Sequence, residues 1–195
     1  MSEIRNLLPN PWPNGTSKWR QFNGTAQDCE MRMSKDESSM YFRGLTNTKC
    51  SWSCKVPDTP TGQMVFGLTT GTAGGMKARV KNLFGVELTE QKLLAQSNSF
   101  YLLPFELKTP GCDLIIDGPA KNVAATLNHL LLMTQEDWTH MRNLKSGAGS
   151  TANIRWFAPP KTAATGVMST PALDRGGCAP STARHYPHID VEVAA

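Results

Sequence analysis

Apolar and polar residues alternate with a period of two through most of the first 133 positions, and the 3.6-residue period of an amphipathic helix is scarce. Residues 49–56 are the clearest case: Cys50, Trp52, Cys54 and Val56 share one face, and Lys49, Ser51, Ser53 and Lys55 the other. Such alternation predicts a half-buried antiparallel strand. The same logic predicts a strand with Cys29, Met31 and Met33 inward against Asp28, Glu30 and Arg32. It also predicts a long strand with Met76, Ala78, Val80, Phe84, Val86 and Leu88 inward against Lys77, Arg79, Lys81 and Glu87. Tyr101, Leu103, Phe105 and Leu107 form another inward set, as do Val123, Ala125, Leu127, Leu131 and Met133. Shorter apolar runs at 39–45, 63–70 and 112–116 are bounded by turn residues such as Asp58-Thr59-Pro60-Thr61-Gly62, Gly71 to Gly75 and Thr109-Pro110-Gly111. Eight or nine strands precede residue 134 on this reading.

Strands in that number, about a dozen residues apart and separated by Gly/Pro turns, predict an all-β chain folded as an antiparallel β-sandwich; a βαβ fold would need amphipathic helices between them. One short helix is expected at Gln135 to Leu144, where Trp138, Met141 and Leu144 share a face. Beyond it the composition changes to Ser-Gly-Ala-Gly-Ser-Thr, then Pro159-Pro160, then alanines, glycines and further prolines. Only Ile154 to Phe157 and Ile189 to Val193 look able to pair as strands there. The expected organisation is therefore a sandwich over residues 1–145 and an extended Gly/Pro/Ala-rich C-terminal arm over 146–195.

Composition narrows the classes. Hydrophobic residues make up 39% of the 195, charged residues 18%, and there are 16 Gly and 13 Pro, which argues against a charged helical bundle and against wholesale disorder. No apolar run approaches the roughly eighteen residues of a membrane helix, so a soluble chain without a membrane partner is expected. The net charge of +4 is diffuse: residues 1–150 hold 16 basic and 13 acidic groups, the remainder 4 and 3, which does not announce a nucleic-acid binder. Met1-Ser2-Glu3-Ile4-Arg5 lacks a basic-then-apolar signal, so cytoplasmic synthesis is expected. Five cysteines, odd in number and without metal-type spacing, read as unpaired buried thiols of a reducing compartment. Cys50 and Cys54 lie about 13 Å apart along one strand and cannot bridge each other, so both read as core thiols.

Catalytic chemistry is sparse. Gly71-Thr72-Ala73-Gly74-Gly75 lacks the lysine spacing of a phosphate loop, and no G-x-S-x-G, H-E-x-x-H or paired C-x-x-C occurs. With no nucleophile and base standing together, no enzyme and no cofactor are expected. His185 and His188, with Cys178 and Asp190, are the best metal candidates, yet i,i+3 histidines in an extended segment do not converge on one face. Asp113 and Asp117 bracket Leu114-Ile115-Ile116 and read either as carboxylates for Ca²⁺ or as turn formers at strand ends; no metal is assigned. Two features address a partner. Lys77, Arg79 and Lys81 make a basic stripe suited to phosphates or, in a virus particle, an acidic capsid surface, or else a lysine-protected edge strand. Trp12, Trp19, Trp138 and Trp156 lie in loop-rich segments where an indole could stack on a sugar or pack a terminus onto the sandwich; Trp19 and Trp138 are the candidate glycan contacts.

The opening Asn6-Leu7-Leu8-Pro9-Asn10-Pro11, followed by Trp19, resembles the start of the carbohydrate-binding-module-like jelly rolls found in phage minor tail and other virion proteins, particularly of phages infecting Gram-positive hosts. The later order is similar over residues 4–145: a strand at 49–56, a turn, a strand at 63–70, and a strand at 125–133 followed by Trp138. The chain departs from the pattern at Trp12-Pro13-Asn14-Gly15. Apart from any family, Leu7 and Leu8 can anchor a first strand that Pro9 and Pro11 then end, since proline cannot donate to a ladder. The resemblance implies a jelly-roll structural protein of a bacteriophage virion, on the tail or decorating the capsid surface. It would assemble through its termini with other virion proteins and as a homo-oligomer. The alternative it implies is a glycan-binding adhesin module for host cell-wall polysaccharide.

Overall fold

The alternation at 49–56 becomes β5 (Ser51–Val56), whose Trp52, Cys54 and Val56 are buried inward, within a five-stranded antiparallel sheet. The computed structural model describes residues 4–8, 18–33, 39–147 and 166–168. Its first sheet has the order β2-β5-β10-β7-β8, with β2 at Arg20–Asn23, β10 at Cys112–Asp117, β7 at Lys77–Asn82 and β8 at Lys92–Leu93. The second has the order β3-β4-β11-β6-β9, with β3 at Cys29–Met33, β4 at Met40–Gly44, β11 at Ala124–Thr134, β6 at Gly62–Thr70 and β9 at Phe100–Leu107. Every strand pair is antiparallel. The expected sandwich is present. Its core joins Trp52, Ala78, Val80, Leu114 and Ile116 of the first sheet to Phe42, Phe66, Leu68, Leu127 and Leu132 of the second. Phe42 meets Trp52 edge-on with centroids 5.0 Å apart, the geometry aromatic quadrupoles favour.

A second, smaller core lies on the outer face of the second sheet, where α1 (Gln135–Gly147) covers Val65, Leu131 and Met133. Thr134 Oγ1 accepts the Asp137 N–H at 3.0 Å and Glu136 and Asp137 occupy the first turn, so the helix start is capped and matched to its dipole. Trp138 and Met141, one turn apart, supply its buried face. Both cores draw on β11, because a bulge between Leu127 and His129 inserts one residue and inverts the alternation. Ala125 and Leu127 face the sandwich core, as do Leu130 and Leu132, whereas Leu131 and Met133 face the helix. The expected single face through Leu131 and Met133 is corrected accordingly.

Three further expectations change. The long strand at 76–88 is instead β7 followed by a reversal. Asn82 Oδ1 accepts the N–H groups of Phe84 and Val86 at 3.0 and 2.9 Å, and Gly85 adopts a φ of +88°, so the chain doubles back until Leu88 N–H donates to Val80. Phe84 is 80% exposed instead of inward. The cysteines are not all thiols: Cys29 and Cys50, with Cα atoms 6.4 Å apart, form a disulfide that ties one sheet to the other. Cys54 and Cys112 are the buried free thiols among the described residues, and burial pushes them up to about 12 and about 11. Lastly, β7 is not an edge strand, since β8 lies outside it.

The opening segment earns its position through Asn6, at the end of β1 (Ile4–Asn6). Its side chain behaves as a short piece of strand beside β11: Nδ2 donates to Leu130 O at 3.1 Å, and Oδ1 accepts Leu132 N–H at 3.0 Å and Leu8 N–H at 3.2 Å. Leu8 is thereby held in the core. The far side of β1 pairs with β12 (Gly166–Met168). The rest of the arm lies outside the described residues, as do Trp12, Trp156, Cys178, His185, His188 and Asp190. No helix among the described residues is long and apolar enough to cross a membrane.

Candidate binding face on the first sheet

The outward side chains of the first sheet fall into three cross-strand rows fixed by its register. Lys77, Asp117, Ser51 and Asn23 form one row; Arg79, Ile115, Ser53 and Arg20 the next; Lys81, Asp113 and Lys55 the third. No single strand carries this arrangement. It exists because β7, β10 and β5 pair in antiparallel register, so residues distant in the chain stand side by side about 4.8 Å apart.

Lys77, Arg79 and Lys81 do share a face, but the stripe is largely compensated. Arg79 pairs with Asp117 at 3.2 Å and with Glu87 at 3.6 Å, Lys81 pairs with Glu87 at 2.9 Å, and Lys77 donates to Gln91 Oε1 at 3.2 Å. Asp117 also accepts from Ser51 Oγ at 2.6 Å and from Gln91 Nε2. These contacts correct the picture of a basic stripe left open for a partner. They correct the calcium reading as well, because Asp117 is saturated with donors and Asp113 stands four residues away, about 13 Å along the strand. Among the described residues no three potential metal ligands gather.

Two atoms of this face lack a hydrogen bond, although Arg79 Nε stands 3.6 Å from Glu87 Oε1. Asp113 Oδ1 and Arg79 Nε are buried and have no hydrogen-bond partner among the described residues. They occupy diagonal positions across β10 and β7, about 7 to 8 Å apart at the backbone, with Ile115 between them as an apolar floor 2% exposed. Burial raises the Asp113 carboxyl above its ordinary range, with the Ser53 hydroxyl and the charges of Lys55 and Lys81 pulling the other way. On the rim, the register shifts between Gln21 and Asn23, and Phe22 in that bulge is 54% exposed. The alternation reading missed Phe22, because Arg-Gln-Phe-Asn carries no apolar period.

Trp19 and Trp138 are not platforms. Trp19, 6% exposed, joins the main core ahead of β2, and Trp138, 4% exposed, stacks on Phe100 with centroids 5.6 Å apart. An indole committed to protein on its faces offers none to a sugar. In both cases a terminal segment packs onto the sandwich.

No protein-family profile and no curated protein matches the sequence. Solved structures do. TmCBM61, in complex with β-1,4-galactotriose, is similar at 16% identity with a TM-score of 0.51, over 67% of this chain and 99% of that one. The enzymatically active domain of bacteriophage CBA120 tailspike protein 4 is similar at 10% identity with a TM-score of 0.51, over 66% of this chain and 21% of that one. This chain thus spans about a fifth of the tailspike domain. A mutant of the carbohydrate-binding module CBM29-2, complexed with mannohexaose, shows 13% identity and a TM-score of 0.47, over 68% of this chain and 92% of that one. What the two chains at 0.51 share with this one is the fold, a two-sheet jelly-roll β-sandwich of the kind carbohydrate-binding modules have.

Proposed function

We propose that the chain is a non-catalytic glycan-binding module and that the three-row face of the first sheet is its binding surface. The observation that carries this reading is the presence on one face of two buried atoms without a hydrogen bond, the acceptor Asp113 Oδ1 and the donor Arg79 Nε. A buried acceptor left open costs about 1 to 3 kcal/mol, and the Arg79 donor is only partly compensated by the Glu87 carboxylate at 3.6 Å. A hydroxyl satisfies both kinds of group, since it donates one hydrogen and accepts on its lone pairs. A side-chain movement that uncovers both atoms would let two neighbouring sugar hydroxyls engage carboxylate and guanidinium, with a sugar ring against the exposed Phe22. The likeness to TmCBM61, which spans nearly the whole of that module, supports the same reading.

A second reading concerns where the module works. The tailspike likeness and the Asn6-Leu7-Leu8 opening favour a phage particle. We propose that residues 1–145 form the binding sandwich on the tail or capsid surface, with 146–195 as an arm that assembles with other virion proteins or further copies of the chain. Display in many copies would raise a weak single-site affinity through avidity.

The test is retention of the full chain on immobilised polysaccharides, including β-1,4-galactan and cell-wall polysaccharide. Asp113→Ala should lose retention while melting within a few degrees of the parent, and Arg79→Ala should lose retention with a larger fall in melting temperature, because Asp117 and Glu87 lose their partner. Undiminished retention in both variants would place binding elsewhere, and no retention of the parent in monovalent or multivalent form would leave a scaffolding role.

A further inference from the structure

Resting on the reading of this face as a glycan surface, we infer that its ligand is a polyanionic polysaccharide, with carboxylate or phosphodiester groups repeating along the chain. The rows hold five bases, Arg20, Lys55, Lys77, Arg79 and Lys81, and with the bridging Glu87 three acids, the others being Asp113 and Asp117. Five minus three leaves an excess of two on this one layer, while the whole chain of 20 bases and 16 acids has an excess of four.

Two of the three acids are moreover already engaged. Asp117 is held by Arg79, and Glu87 by Arg79 and Lys81. Asp113 lies in the field of Lys55 and Lys81. What remains is a set of three cations, Arg20, Lys55 and Lys77, all exposed and none in an ion pair among the described residues. Lys77 ends the first row, Arg20 ends the second on the opposite edge, and Lys55 ends the third. From the usual strand separation and rise, Arg20 stands about 8 Å from Lys55 and about 16 Å from Lys77 at the backbone. These cations surround Asp113 Oδ1 and Arg79 Nε, the two atoms of the face without a hydrogen bond. A neutral sugar would use the central pair and leave the cations idle. A polymer with regularly spaced anions would engage both, and its attraction would be screened by salt over a Debye length of about 10 Å at 0.1 M.

The experiment measures binding of the full chain to alginate, a polyuronate, to synthetic poly(glycerol phosphate), to neutral β-1,4-galactan and to duplex DNA, each at low and at physiological salt. Alginate or poly(glycerol phosphate), whichever matches in anion type, should bind at least about tenfold more tightly than galactan and weaken as salt rises. The double variant Lys55→Gln with Lys77→Gln should lose about tenfold for that polymer at low salt and keep its melting temperature, because both side chains are exposed. Galactan bound as tightly as both anionic polymers, without salt dependence, would overturn the inference and leave the glycan reading intact. DNA bound as tightly as the polysaccharides would overturn it in favour of unspecific polyelectrolyte attraction. Binding to none of the four would overturn the inference together with the reading beneath it.

Discussion

Asn6→Ala should be among the most damaging single changes outside the large core side chains. The Asn6 side chain is 4% exposed and makes three hydrogen bonds, one donated to Leu130 O and two accepted from Leu132 and Leu8. A buried intramolecular hydrogen bond contributes about 1 kcal/mol net, and a partner left stranded costs about 1 to 3. Three lost bonds therefore amount to about 3 kcal/mol. For a chain of this size each kcal/mol lowers the melting temperature by about 2 to 4 °C, so a fall of about 6 to 12 °C is expected. Asn6→Asp should do no better, because it keeps the acceptor but replaces the donor facing Leu130 O with a carboxylate oxygen. Thermal melting reads the global effect, and amide exchange at Leu132 and Leu8 reads the local one. A melting temperature within about 2 °C of the parent, with Leu132 exchange unchanged, would refute the argument that the side chain substitutes for a piece of strand.

Trp52→Ala should cost about 3 to 5 kcal/mol in urea unfolding, the range for emptying a buried aromatic site, while Lys49→Ala stays nearly silent; equal losses would mean the face of β5 is misread. Removing the Cys29–Cys50 disulfide by Cys29→Ser with Cys50→Ser should cost about 3 kcal/mol, as expected for closing a loop with a sequence separation of 21. Non-reducing mass mapping that found no Cys29–Cys50 peptide would remove its basis. His129, buried on the outer face of the second sheet, has its pKa pushed down by burial to about 4. The unfolded chain binds this proton near pH 6.5 and the folded chain only near 4, so stability is full above 6.5 and falls by about 3 kcal/mol as pH drops through that window. His129→Gln should flatten that slope, and an unchanged slope would assign it to other groups.

The sheet faces were legible wherever alternation ran straight. Trp52, Cys54, Met64, Phe66, Leu103 and Phe105 face inward because a sandwich strand buries every second residue. Legibility failed where backbone geometry overrode the period. Asn82 and Gly85 reverse the chain inside a run whose alternation continues through Phe84 and Val86, and only the turn chemistry of Asn-Leu-Phe-Gly marks the spot. The disulfide was hidden because its partners sit in different sheets, so neither spacing nor strand period relates Cys29 to Cys50. The candidate site was visible as single residues, Lys77, Arg79, Lys81, Asp113 and Asp117, but not as rows. Pairing of β7 with β10 and of β10 with β5 is a long-range fact that no local window contains.

The bulge in β11 gives the strand an unusual dependence. Leu130, Leu131, Leu132 and Met133 are all buried, alternately against the sandwich and against the helix. Sliding this stretch by one residue would exchange leucine for leucine on each side, so greasiness alone cannot tell the right phase from the wrong one. Polar atoms must make that choice. The two hydrogen bonds of the Asn6 side chain, one donated to the Leu130 carbonyl and one accepted from the Leu132 amide, act as an index mark, joining the chain's first strand to its last long one across more than 120 residues. A nascent chain therefore holds this mark from the start, yet cannot read it until β11 has been made.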